Sequence, residues 1–257
     1  MKLTADYHTH TVFSHGKGKI IDNAIAAKNA GLKEIAISDH GFSHPAFGVT
    51  KGKVATMRYL CDKATEKVGV KVLLGIESNI ISTEGHPDLK PNMYDSFDVF
   101  LAGIHKCVLY KFKSIFTLSI PDLFYDFFKN KQVPEYLIKN NTKAYVNLIK
   151  KHPVDVITHL NYGCFADVVE VAKVASDYGT YIELNAKKTH LTDEQLYAVE
   201  KTGVNFIIGS DAHSPERVGE ISLVEQALER VQIPESRIVN VNGKIPRMRF
   251  KEFKERG

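Results

Sequence analysis

Seven of the eleven histidines in this chain sit in short motifs that share one grammar. His8 and His10 frame a threonine in HTH, His15 opens HGKG, and His40 closes SDH. His105 closes GIH, His159 closes ITH and His213 closes GSDAH. Glu77 in GIE and Asp211 in GSDAH add two carboxylates. Neutral imidazole and carboxylate are the ligands that borderline divalent metals prefer. Each element alone says little: HxH arises by chance, a lone glutamate can be an ion-pair partner, and Asp211 could cap a helix. The joint pattern carries the weight, because nearly every motif follows a short apolar run. The other four histidines break that rule. His44 lies four residues past His40, His86 sits in a GHP turn, His152 precedes Pro153, and His190 lies just before a helix start. They are left out of the metal set, with His44 still close enough in sequence to touch a substrate.

The apolar runs that must position these residues read as strands over 3–7, 34–38, 71–76, 98–104, 154–158, 181–184 and 204–209. They are short and continuously apolar, as strands buried on both faces are. Amphipathic stretches separate most of them: 21–29 before Gly31, 56–68 before Gly69, 166–178 before Gly179, a segment from Thr192 to Gly203, and 220–231. Strand–helix alternation of this kind predicts a parallel α/β fold, either a seven-unit relative of the (β/α)₈ barrel or an open doubly wound sheet. In a parallel barrel all strand C-termini open on one mouth, where residues distant in sequence converge. The two histidines of an HxH on a strand point to the same face. Two stretches interrupt the alternation. Residues 79–95 read as a hairpin or loop. Residues 106–133, rich in aromatics, read as an inserted helical segment beside the mouth, its rings forming a local mini-core or else a lid.

Composition narrows the function further. The net charge of +4 is spread without a long basic run, which argues against a nucleic-acid partner. Cys61, Cys107 and Cys164 are far apart and form no CxxC, so neither a disulfide framework nor a zinc knuckle is expected. No apolar stretch approaches the ~20 residues of a membrane span, and the start MKLTADYHTH lacks the apolar run of a signal peptide. These features predict a cytoplasmic protein with no membrane partner. There is no P-loop and no GxSxG elbow.

Taken in order, YHTH, SDHG, GIE, His105, His159 and GSDAH resemble the PHP (polymerase and histidinol phosphatase) superfamily. The resemblance covers almost the whole chain, least securely over 106–133, and is strongest to small stand-alone phosphoesterases of the YcdX type. It implies a distorted (β/α)₇ TIM-like barrel of parallel strands, residues 1–257 forming one domain with a helical insertion near 106–133. It also implies three divalent metal ions, zinc favoured over manganese or iron. Carried over position by position, one metal takes His8, His10, Glu77 and Asp211. A second takes His105, His159 and Glu77, which bridges, and a third takes His15, His40 and His213. The implied activity is a phosphatase that hydrolyses a small phosphate monoester through a metal-activated water, with no protein nucleophile. A histidinol-phosphate phosphatase, an amidohydrolase-type metal hydrolase and a nucleic-acid-directed PHP module are the alternatives. Glu77 on the third strand and His213 beside the terminal Asp211 favour PHP over the amidohydrolases. Arg217 in DAHSPERVG, Lys17 in HGKG and Asn185 at the end of the sixth strand are candidate substrate contacts, and Asp39 is expected to support His40 from behind.

Overall fold

The computed structural model describes residues 1–128 and 131–256. Seven parallel strands run in the order β1 to β7 around a distorted (β/α)₇ TIM-like barrel. They are β1 (Ala5–Thr9), β2 (Glu34–Ile37), β3 (Lys71–Asn79), β4 (Val99–Gly103), β5 (Val156–Ile157), β6 (Tyr181–Asn185) and β7 (Phe206–Gly209). Helices α1 (Ile20–Asn29), α2 (Lys51–Val68), α5 (Glu135–Lys151), α6 (Val168–Tyr178) and α7 (Asp193–Glu200) connect them, and α8 (Ser222–Val231) follows β7. Every residue of β1, β2, β4, β5, β6 and β7 is buried, the condition for a parallel sheet covered by helices on its outer face.

The seam between β7 and β1 is closed largely by side chains. The His10 N–H donates to the Ala212 carbonyl at 2.8 Å, where Thr9 and Ala212 form an isolated parallel bridge at the mouth. Below it, the Asp6 carboxylate accepts from the backbone N–H of Ser210 and Gly219 at 3.1 and 3.0 Å. The buried Asn240 donates to the carbonyls of Ala5 and Ile208 and accepts from the Ile208 N–H, so one amide spans the gap. The Val239 N–H donates to the Phe206 carbonyl and the Thr4 N–H to the Asn240 carbonyl, so this segment patches the place of an eighth strand.

Two strand limits differ from the sequence reading in a way that matters. β1 runs two residues later than expected, so His8 lies inside it, and β3 extends to Asn79, so Glu77 lies inside that strand. The apolar run stops before the strand does because the last interior positions are polar. The C-terminal helix α9 (Arg249–Arg256) was not expected, since its sequence is mostly charged. It is anchored by buried Phe250, packed edge-on to Tyr94 and Phe100, with its N–H donating to Asp155.

The expected insertion is helical: α3 (Phe112–Ser114), a π-helical turn (Ile115–Ser119) and α4 (Ile120–Phe127). Residues 129 and 130 of that insertion, and Gly257 at the end of the expected domain, lie outside the described residues. The rings do not form a mini-core. Phe112, Phe116 and Phe127 are 78%, 60% and 78% exposed, while Ser114, Leu118 and Asp122 face inward. Helical spacing sets 112, 116, 120, 123 and 127 on one outward stripe, and the inward face is held by a bond from Asn141 to Asp122. Tyr110 packs against the core and donates its hydroxyl to the His105 carbonyl. Phe116→Ser should therefore change stability by no more than about 0.5 kcal/mol. Leu118→Ala, two residues on and fully buried, should cost about 2–5 kcal/mol. Urea unfolding of the two variants measures the difference, and equal losses would restore the mini-core.

Candidate metal centre

The barrel axis ends on Glu77, a fully buried carboxylate in the middle of the sheet. Its Oε1 is approached by Nε2 of His159, His105 and His8 at 2.7, 2.9 and 3.3 Å. Its Oε2 is approached by Nδ1 of His40 at 2.7 Å and Nε2 of His10 at 3.6 Å. These imidazoles come from or follow β1, β2, β4 and β5, so four strands converge on one side chain of a fifth. Asp211, after β7, completes the ring: its Oδ1 lies 3.4 Å from His10 Nε2, 3.8 Å from His8 Nε2 and 3.2 Å from His213 Nδ1.

Protons alone do not satisfy this arrangement. His8 turns Nδ1 to the Glu183 carboxylate at 2.6 Å. With the proton there, a neutral His8 points the Nε2 lone pair at Glu77. Of twelve buried polar side-chain atoms without a hydrogen-bond partner among the described residues, seven belong to His8, His10, His40, Glu77, His105 and His159, and two of those, His40 Nδ1 and Glu77 Oε2, face each other at 2.7 Å without the geometry of a hydrogen bond. Such orphans are rare and costly in a folded interior unless a cation or ion takes the missing role. The donor set fits divalent metal ions. Ligand atoms lie within 4.8 Å of one another in four groups: His8, His10 and Asp211; His8, Glu77 and His159; His40, Glu77 and His105; and His10, His40 and His213. Glu77 belongs to two groups, as do His8, His10 and His40, so the groups overlap around the centre of the mouth.

The electrostatics agree. Burial pushes the Glu77 carboxyl up, but His105, His8 and His40 outweigh it and hold it well below the ordinary carboxylate range. Burial opposes charge on His8, yet Glu183, Glu77 and Asp211 raise it well above the ordinary imidazole range. The field that would hold a proton on His8 would equally hold a metal cation, since the two compete for one lone pair. Burial, with His40 and His8 beside it, lowers His10 well below that range despite its bond to Asp211.

A second layer fixes the ligands. Asp39 accepts from the Thr11 N–H and from the Thr11 and Ser14 hydroxyls, bracing the loop after His10. Asp88, brought back by the 79–95 loop, accepts from Ser43, Ser78 and Asn79, tying the ends of β2 and β3. Glu183 holds His8 Nδ1, the His159 N–H at 2.8 Å and Asn185 Nδ2 at 3.0 Å. The sequence reading missed Glu183. Its signal was available: it precedes Asn185 by two in β6 and so shares its face. His159 and Asp211 both have left-handed backbones, φ +27° and +49°, a strain typical of functional positions. Gly209 makes room for this layer, since a Cβ there would lie 2.2 Å from Glu183 Oε1 and 3.0 Å from His8 Cβ.

Of the nine residues expected as ligands, eight fall within the four groups and His15 does not. Its exposed ring stacks on His40 at 4.8 Å and meets His213 at 4.2 Å, and His10 takes its place among the closest ligand atoms. None of the three candidate substrate contacts is among the residues that line the mouth cavity, although Lys17 and Asn185 lie beside expected ligands. Arg217 pairs with Glu220 at 2.7 Å and reaches the Ala186 carbonyl, and it does not line the mouth. Lys17 is exposed, its N–H bound to the His213 carbonyl. Asn185 is buried, touching Asp211 and capping the N–H groups of Lys187 and Lys188. The mouth cavity, about 440 Å³, is lined instead by Lys106, Lys187, Lys188, Tyr162, His190, His44 and Phe47 around the ligand set. His190, set aside from the sequence, is part of this wall. His86 and His152 are remote from it, bonded to Ser82 and Tyr94.

Comparison with known proteins follows the geometry. The family profile of the PHP domain matches residues 6–210. A protein of Thermoanaerobacter sp. named "probable phosphatase" is 30% identical over 256 residues, covering 95% of this chain and 94% of that protein. One of the same name from Caldanaerobacter subterraneus is 29% identical, covering 94% and 89%. Among solved structures, histidinol phosphate phosphatase from Lactococcus lactis superposes with a TM-score of 0.60 at 15% identity, over 95% of this chain and 99% of that one. That protein was solved with zinc, L-histidinol and phosphate, and at this identity the likeness speaks for the fold.

The tight fit at Gly209 sets an expectation. Gly209→Ala forces Glu183 off His8 and should cost about 1–3 kcal/mol. Gly52→Ala, in α2 with open space around the new methyl, should gain about 0.5 kcal/mol. Denaturant melts of both variants give the two signs. A neutral Gly209→Ala would mean that the Glu183–His8 contact is dispensable.

Proposed function

The chain belongs to the PHP domain family, and on that premise we infer that it is a metal-dependent phosphatase acting on a small phosphate monoester. The observation that carries the reading is the convergence of buried imidazole and carboxylate ligand atoms on Glu77 and Asp211, within 4.8 Å of one another in four groups, beside a lysine-lined cavity. The relatives named as phosphatases support the reaction class, and the metal in the Lactococcus lactis structure supports zinc ahead of manganese and iron.

His8, His10, Glu77 and Asp211 would hold one ion, and Glu77 with His105 and His159 a second. His40 and His213, with the adjacent ring of His15, would hold a third. Such ions, when bound, supply positive charge for phosphoryl oxygens and make water acidic enough to attack near neutral pH. The chain's own groups do the rest. Glu183 keeps the His8 ring oriented through its Nδ1–H, and Glu77 holds β3 ligand chemistry at the centre of the mouth. Lys187 Nζ lies 3.4 Å from Asp211 and 3.1 Å from His213 Nδ1, where it can donate to a phosphoryl oxygen as that group settles over the ligand set. The attacking group is assigned to water, with Glu77, Asp211 and the histidines that converge on them committed to holding metal in this reading.

Protein purified without chelator should carry about three divalent ions per chain by elemental analysis. It should release phosphate from simple monoesters, and chelator should abolish that release until zinc, manganese or iron is restored. Glu77→Gln, which keeps the shape and removes the charge, should lose metal and lower activity by about 10²–10³. His86→Ala and His152→Ala, both distant from the mouth, should retain metal and activity. Amide hydrolysis without phosphate release would point to an amidohydrolase-type reaction instead. Normal metal content in Glu77→Gln would leave that carboxylate a structural role only.

A further inference from the structure

Once the expected ligands are set aside, the cavity wall has a single sign of charge. Lys106, Lys187 and Lys188 line it, and no carboxylate other than Glu77 and Asp211 does among the described residues. The three lysines are placed differently. Lys187 leans on Asp211 and His213, inside the ligand set. Lys106 is held by an ion pair with Asp126 of α4 and lies over the Tyr162 ring, 5.6 Å from its centroid. Lys188 has its backbone N–H capped by Asn185, and its ammonium has no carboxylate partner among the described residues. Tyr162 and His190 stand edge-on at 5.0 Å and continue this wall, each next to His159 at 5.0 and 5.9 Å. The wall thus begins one ring beyond a ligand histidine, a few ångströms from where the phosphoryl group would sit.

A cationic wall without free carboxylates is the wrong surface for an ammonium and the right one for an anion. We propose that Lys188, Lys106, Tyr162 and His190 form a subsite for a second anionic group of the substrate. Phosphate esters that carry a carboxylate or a further phosphate are then preferred over neutral and aminoalkyl esters. The preference rests on the phosphatase reading for its biological meaning, but not for its binding chemistry. It distinguishes this chain from an enzyme for histidinol phosphate, whose alcohol carries an amine. Lys106 and Lys188 act by complementary charge at the far end of the ligand. Tyr162 supplies a flat wall and a hydroxyl donor, and the Asp126 pair holds Lys106 in place.

The test uses phosphonates of matched length, which bind without being cleaved, titrated calorimetrically into the metal-loaded protein. 3-Phosphonopropanoate and propane-1,3-bisphosphonate should bind about tenfold more tightly than propylphosphonate, and 3-aminopropylphosphonate more weakly still. Their order relative to each other tells whether carboxylate or phosphate is the better fit. In Lys188→Ala and Lys106→Ala the ratio of anionic to neutral ligand should fall toward one. Lys188→Glu should reverse it in favour of the amine. Metal content and thermal melting of each variant check that the fold is retained. Equal binding of all four ligands to the wild type, or a preference that survives Lys188→Glu, overturns the subsite. Turnover of p-nitrophenyl phosphate by the same preparations reports the phosphatase reading separately. Selective binding without turnover would sink that reading and support the subsite, and turnover without selective binding would do the reverse.

Discussion

A carboxylate with no access to water sits against five imidazoles, and this one contact organises the molecule. Glu77 could not be buried as an ion without compensating positive charge, because desolvation of a lone carboxylate costs several kcal/mol even after relaxation. The imidazoles supply compensation only if protons or metal ions stand between nitrogen and oxygen. The second layer fits that requirement. Glu183 holds the His8 ring and Asp39 braces the loop after His10, whereas Asp88 takes hydroxyl, backbone and Asn79 amide donors and Asp6 takes backbone donors. The barrel brings five strand ends close enough for this to happen, and the ligand set in turn gives those ends a reason to be polar.

Seven strands make a barrel with a seam, and the seam lies under the most heavily loaded part of the site. β1 carries His8 and leads to His10, while β7 leads to Asp211 and His213, so the two flanks of the gap present four of the expected ligands. Few backbone bonds join those flanks. Asp6, Asn240 and the 238–241 segment replace the missing strand by bonding its unpaired N–H and carbonyl groups, which would otherwise be buried without partners. Closure of the barrel and spacing of the ligands are therefore one problem with one solution. The left-handed backbone at Asp211 is where the chain turns to meet both demands.

Outside the ligand set the mouth is lined by lysines and aromatic rings, and α4 links it to the outward stripe of the insertion through the Lys106–Asp126 pair. The exposed rings of that stripe contribute little to the core beneath them. What fastens the insertion is its polar inward face, chiefly Asp122 with Asn141, together with Leu118.

The sequence by itself determined the alternation of strand and helix, hence a parallel α/β fold, and the roster of polar side chains at its strand ends, while closure into a barrel rather than an open sheet belongs to the tertiary structure. Both follow from local rules: a run of apolar residues buried on both faces reads as a strand wherever it occurs, and a polar residue at its end reads as a mouth residue. Local rules could not say which mouth residues meet. His15 and His10 both belong to the first loop, yet only His10 reaches the innermost ligand groups, because β1 runs on past its apolar stretch and carries the HTH deeper. Glu183 was hidden for the same reason, a polar side chain inside a strand whose partner, His8, lies 175 residues away. Arg217 looked like a phosphate clamp in sequence, but the short helix that bears it turns its guanidinium to Glu220, while Lys106, Lys187 and Lys188 are swung into the cavity. Side-chain direction after a strand end depends on how each loop packs on its neighbours, and that is decided only when the barrel closes.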